Sequence, residues 1–294
     1  MNLPFAYSEP EFGDGPGLYI AIILLSALGL FLFKIIRDGA KIVRTEYVKT
    51  GNSSYSAEEA APVDLHLLNF SYYRKLTTQG RARFIHRVLN FIETHHIEGE
   101  NDFNSGFREK VHVSAAATQL TFGLRDFIFT HFETVLLYPG IFRLRADGPL
   151  MKGATTSNGV IRISIKDFDA GYANPKDKLN VGLHEFGHAL FMEFLRLANA
   201  EESNEMLKTN LFAYIEESDR LLKEGKHNDN FLRDYAFTNR HEFFAVCVEH
   251  FFEAPQEFKE TLPELYDALK TLLKQDTAGQ LPDYAIRHAE KAFS

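Results

Sequence analysis

Residues 180–194 read NVGLHEFGHALFMEF, and the pentapeptide HEFGH within them decides how the rest of the chain is understood. On a helix, positions i and i+4 lie one turn apart on one face, so His184 and His188 can offer both imidazoles to one metal ion. Glu185 sits beside that face, where its carboxylate can take a proton from a metal-activated water and later deliver it to a leaving amine. A helix flanking a metal site needs an apolar back, which Leu183, Phe186, Leu190, Phe194 and Leu197 supply. A helix is expected from about Asn180 to Leu197. Gly187 inside the motif weakens that helix by ~1 kcal/mol relative to Ala, which points to something packing closely on its backbone.

Composition limits what else can hold a metal. The 294 residues contain one cysteine, Cys247, so a disulfide framework and a cysteine-rich zinc module are both excluded, and the ligands must be His, Asp or Glu. With 32 Lys+Arg against 40 Asp+Glu the formal charge is -8, which argues against a surface built to neutralise phosphates, and no nucleic acid partner is expected. An apolar share of 45% is enough for a real core and excludes disorder as the main state.

A catalytic zinc takes three protein ligands and keeps a fourth position for water. A metzincin would place the third ligand, a histidine, at position 194, but Phe194 stands there. Downstream candidates are Glu216, Glu217, Asp219, Glu242, Glu249 and Glu253. The first three fall in a dense charge cluster that reads as a solvated face. Glu242 instead opens the apolar stretch EFFAVCVEHFF, and two readings stay open for it: a carboxylate buried against a cation, or one stabilised by the helix N-terminus. His241 is a weaker rival, since its side chain projects about 100° away around the helix.

Ahead of the motif, Leu18 to Phe33 is uncharged and continues through Ile35 and Ile36, close to the ~20 residues that span a bilayer. One transmembrane helix is expected over 18–36. The acidic residues Glu9, Glu11 and Asp14 precede it and the basic Lys34, Arg37, Lys41 and Arg44 follow it, which orients residues 1–17 outside and the large C-terminal part in the cytoplasm. Residues 37–61 read as a basic flank and flexible tether, with the folded part beginning near Pro62 and running to residue 294. Within it, Phe84, Ile85, Val88, Leu89 and Ile92 recur at helical steps, and Val111 to Leu124 predicts a helix buried on most sides. TVLLY at 134–138 predicts a strand, and the alternation in GVIRISIK at 159–166 predicts a half-buried strand at a sheet edge. A further helix is expected over about Arg240 to Phe252. Many helices and few strands without regular alternation give an α+β domain, mostly helical with a small sheet.

LLYPGIF at 136–142, NVGLHEFGHALFMEF at 180–194 and YAFTNRHEFFAVCVEHFFEAP at 235–255 together resemble the glucose-regulated zinc metallopeptidases typified by the Mlc titration factor, which are similar in turn to the catalytic domain of anthrax lethal factor. The resemblance covers roughly Pro62 to the C-terminus and leaves the anchor outside it. It implies a zincin-like domain with one Zn²⁺ per chain held by His184, His188 and Glu242, with Glu185 as general base and Tyr235 as hydroxyl donor to the oxyanion. Glu249, two turns after Glu242 on the same face, is then placed to orient a ligating imidazole, and Ile161 to Ile165 would be the edge strand along which an extended peptide aligns.

Two functions follow as expectations. The first is a single-pass membrane zinc metallopeptidase whose catalytic domain faces the cytoplasm and hydrolyses a peptide or protein substrate. The second, motivated by the titration-factor resemblance, is a zinc-containing binding protein that sequesters a regulatory partner at the membrane with little turnover. A metal-free scaffold with relict residues ranks last.

Overall fold

In the computed structural model, which describes residues 55–100, 102–125, 129–200, 204–225 and 231–279, the chain is already helical at Ala57. Ser56 caps helix α1 (Ala57–Leu67) by accepting from Glu59 N while the Glu59 carboxylate accepts from Ser56 N at 2.8 Å. Such a box is worth about 1 kcal/mol. The fold therefore starts earlier than Pro62, which lies inside α1: the polar SAEE stretch that reads as tether is a helix start. Residues 1–17, the expected span at 18–36 and the tether up to residue 54 lie outside the described residues. Among the described residues no helix is long and apolar enough to cross a membrane.

After α1 come a single turn α2 (Ser71–Arg74), α3 (Thr78–Thr94) and strand β1 (His96–Gly99). Next are α4 (Phe107–Thr121), β2 (Thr134–Tyr138), β3 (Gly153–Thr156), β4 (Val160–Ser164) and α5 (Ile165–Ala173). The motif helix is α6 (Val181–Ala198), followed by α7 (Glu205–Glu224), a 3₁₀ turn at Asp234–Thr238, α8 (Arg240–Glu253), α9 (Pro255–Thr261) and α10 (Pro263–Leu273). The architecture is mostly helical with one four-stranded sheet, an α+β fold as expected.

The sheet order is β1-β2-β4-β3. β1, β2 and β4 run parallel, and β3 closes one side antiparallel to β4, pairing Gly153 with Ile163 and Thr155 with Ile161. This corrects the reading of residues 159–166. β4 is an inner strand, flanked on both sides, and Ile165 already belongs to α5. The alternation of Ile161, Arg162 and Ile163 reports which face is buried but says nothing about who sits at either edge. The edge beside the motif helix is GATT, a small-residue stretch without apolar alternation.

The core lies where α4 and α6 meet the sheet. Every residue of α4 from Val111 to Thr121 is buried, and α4 packs against α6. On α6 the apolar back is buried at Leu183, Phe186, Leu190 and Phe194, while Leu197 emerges at the helix end. Each such side chain contributes about 1.5–3 kcal/mol on burial. α8 lies along α6 and is buried from Phe243 to Phe251.

Candidate metal centre

Two helices that are distant in sequence build the site. Asn180 caps α6 by accepting from Leu183 N at 3.0 Å, and Asn239 caps α8 by accepting from His241 N and Glu242 N at 2.9 and 3.1 Å. These caps fix where each helix begins, and so which turn of α6 faces Glu242. Gly187 sets the spacing: a Cβ added there would lie 3.3 Å from Ala245 Cα and 3.6 Å from its Cβ, tighter than most real contacts. The close packing expected from the glycine is contact with α8.

At this crossing, ligand atoms of His184, His188 and Glu242 all fall within 4.8 Å of one another. His184 Nε2 lies 3.1 Å from His188 Nε2 and 3.2 Å from Glu242 Oε2, and His188 Nε2 lies 3.3 Å from Glu242 Oε2. Two ligands at 2.0–2.1 Å from a tetrahedral zinc are separated by about 3.3–3.4 Å, so this triangle fits such an ion. Its donor set also fits, because three lone-pair atoms crowded together need a cation or shared protons between them. His241 projects away and packs on the Phe191 ring at 5.2 Å between centroids.

Around the triangle the polar groups are held in turn. His184 Nδ1 donates to Glu249 Oε1 at 2.7 Å, which leaves Nε2 as the ring atom that could hold a metal. Glu249 is almost fully buried and is held by the Arg233 guanidinium and by the Asn180 N–H at 2.8 Å. Burial alone would raise its pKa, but hydrogen bonds and charge from His184 and Arg233 hold it below the usual range. Burial also disfavours the charged form of His184, yet hydrogen bonds to Glu242 and Glu249 push it up to about 9. Glu242 is depressed well below its ordinary value: hydrogen bonds from both histidines outweigh its burial.

Glu185, 5% exposed, faces strand β3. Thr155 Oγ1 lies 2.8 Å from Glu185 Oε2 and 2.9 Å from the Glu185 carbonyl. The opening above the carboxylate is Gly153, where an added Cβ would sit 2.4 Å from Oε1 and 2.5 Å from Cγ. Burial raises the pKa of Glu185, with the charge of Glu242 adding to it and the two imidazoles working against it. Tyr235, on the 3₁₀ turn, is 51% exposed and its ring centroid is 6.1 Å from that of His184. Partial burial and the charges of Glu242 and Glu185 push its hydroxyl up to about 12.

The structure thus brings together His184, Glu185, His188, Tyr235, Glu242 and Glu249. The other candidates are employed elsewhere. Glu216 is exposed, Glu217 pairs with Arg220, Asp219 pairs with Arg240, and Glu253 accepts from Asn180 Nδ2 at 3.0 Å. Sequence reasoning missed Arg233, Thr155 and Gly153. Nothing local marks Arg233, while the small residues of GATT were the available signal for the strand over Glu185.

Comparison with known proteins agrees with this geometry. The profile of the Glucose-regulated metallo-peptidase M90 family matches residues 53–274. A protein of Synechocystis sp. described as uncharacterized is 26% identical over a 216-residue alignment that covers 68% of this chain and 78% of that one.

Proposed function

This chain belongs to the glucose-regulated metallo-peptidase family, and on that premise we propose that it is a zinc-dependent peptidase that hydrolyses peptide bonds and is anchored in the cell membrane by residues 18–36 with its catalytic domain towards the cytoplasm. The observation that carries the hydrolytic reading is the triangle of His184 Nε2, His188 Nε2 and Glu242 Oε2, with edges of 3.1, 3.2 and 3.3 Å, beside the buried carboxylate of Glu185.

A zinc ion held by those three residues would polarise the scissile carbonyl and lower the pKa of a water molecule towards ~7. Glu185 is the base. Its Oε2 accepts from Thr155, so Oε1, beneath Gly153, is the atom left to take the proton from the attacking water and pass it to the leaving amine. Burial favours this role because a carboxyl with a raised pKa is a better proton shuttle near neutrality. Tyr235 stays protonated and donates its hydroxyl to the oxyanion as negative charge develops there. Glu249 keeps His184 in the tautomer that turns Nε2 to the ion. The anchor is supported by the charge-free run of the sequence and its basic C-terminal flank.

Glu185→Gln tests the reading. Zinc content should stay at one per chain while peptide hydrolysis falls by about 10²–10⁴-fold. Undiminished hydrolysis in the purified variant would end it.

A further inference from the structure

Strand β3 is the outer strand beside the site, and its pairing leaves a small set of main-chain groups open. In an antiparallel pair, consecutive residues turn their N–H and C=O alternately towards and away from the partner. Ser164 N–H donates to Lys152 O at 2.8 Å, and the register sets Ala154 against Arg162 and Thr156 against Val160. Lys152, Ala154 and Thr156 therefore face β4, while Met151, Gly153 and Thr155 face outward.

Met151 is already taken. Phe142 N–H donates to its carbonyl at 3.0 Å, and its own N–H donates to Phe142 O at 2.8 Å. At the other end the chain turns at Ser157, whose carbonyl accepts from His131 Nε2 at 2.7 Å. Between these two stops, the N–H and C=O of Gly153 and Thr155 make no hydrogen bond among the described residues. Both residues also lie against Glu185, Gly153 through the space its missing side chain leaves and Thr155 through its hydroxyl.

We propose that this edge is a window two residues wide, which pairs with an extended peptide over only three residues, so that a peptide longer than about four residues gains no further main-chain affinity. This rests on the peptidase reading above. Docked residues opposite Gly153 and Thr155 would exchange up to four main-chain hydrogen bonds across about 7 Å of strand. Further pairing is blocked by Phe142 on one side and by the His131-bound turn on the other. Affinity should therefore come from the first few residues and stop growing.

The test uses zinc-loaded, full-length Glu185→Gln protein, which holds peptide without turnover, and a series of fluorophore-labelled, C-terminally amidated Ala/Thr peptides from about two to about ten residues long. Affinity should rise up to about four residues and then stay constant within about twofold, and N-methylation along a longer peptide should weaken binding by about 3–10-fold at two alternate positions only. Affinity still rising beyond about six residues, three or more sensitive positions, or no binding at all would overturn the window. The same peptides given to the wild-type protein separate the two ideas. A length plateau without cleavage ends the hydrolytic reading and leaves the window standing, whereas cleavage without a plateau ends the window alone.

Discussion

His184 Nδ1 donates to the Glu249 carboxylate across 2.7 Å, and Glu249 is held from behind by Arg233 and by the main-chain N–H of Asn180. The His184 ring, a proposed zinc ligand, thus has its orientation fixed by a residue that does not join the triangle. Replacing Glu249 with Gln should keep the shape, loosen the imidazole and lower zinc affinity about 10–100-fold, measured by competition with a chelator. Affinity equal to wild type would show that the ring needs no such support.

Tyr235 stands half-exposed beside the ligands and contributes little to the core. Tyr235→Phe should therefore leave thermal stability within about 0.5 kcal/mol of wild type. On the proposed mechanism, loss of its hydroxyl should lower kcat by about 10²-fold, with KM and zinc content unchanged. Steady-state kinetics and a melting curve on the same preparation check both halves.

Gly153 leaves room for the base, since a Cβ there would overlap the Glu185 carboxylate at 2.4–2.7 Å. Gly153→Ala should displace that carboxylate and lower kcat by about 10²-fold, because misplacing a reacting group by about 1 Å has that effect. Zinc should still bind, as no ligand is touched. Full activity in this variant would mean that the carboxylate works from another position.

How much of this was legible before the structure depends on the range of the signal. HEFGH, TVLLY and the buried helix around Val111–Leu124 declare themselves because a helical or strand period is written into consecutive residues. GATT and HIEG do not, since four residues with glycine carry no readable period, and so the sequence points to the neighbouring strand as the edge. Glu242 stood out as an acid opening an apolar helix, but with two readings until His184 and His188 were found 3.2 and 3.3 Å away. Tyr235 came from family resemblance alone, and Arg233 from neither source, because its partner Glu249 is met only after α8 folds back on α6. The expected start at Pro62 failed for a local reason: Ser56 and Glu59 resemble a linker and act as a cap.

Glu253 gives a dependence on pH that does not involve the ligands. Burial pushes its carboxyl up to about 7, with Glu249 and Asp177 adding to the effect and the Asn180 amide opposing it. The folded state then binds its proton more tightly than the unfolded chain. The contribution to stability is fully present below the unfolded pKa of 4.5 and is lost as pH rises towards 7, about 3 kcal/mol across that window. Glu253→Gln can still accept from Asn180 but does not ionise, so denaturant unfolding at about pH 5 and pH 8 should show a smaller decline than wild type. Equal declines would assign the pH dependence to other groups.

Gly187 has one more consequence, since a Cβ there would lie only 3.3 Å from Ala245 Cα, and its absence gauges the distance between the helices that carry the imidazoles and the carboxylate. Side chains of graded size at this position would act as shims, prising α8 from α6 by fractions of an ångström and widening the cage. If the cage holds zinc as proposed, a wider one would suit a larger ion, and the choice between divalent cations would then rest on a residue that has no side chain to offer them.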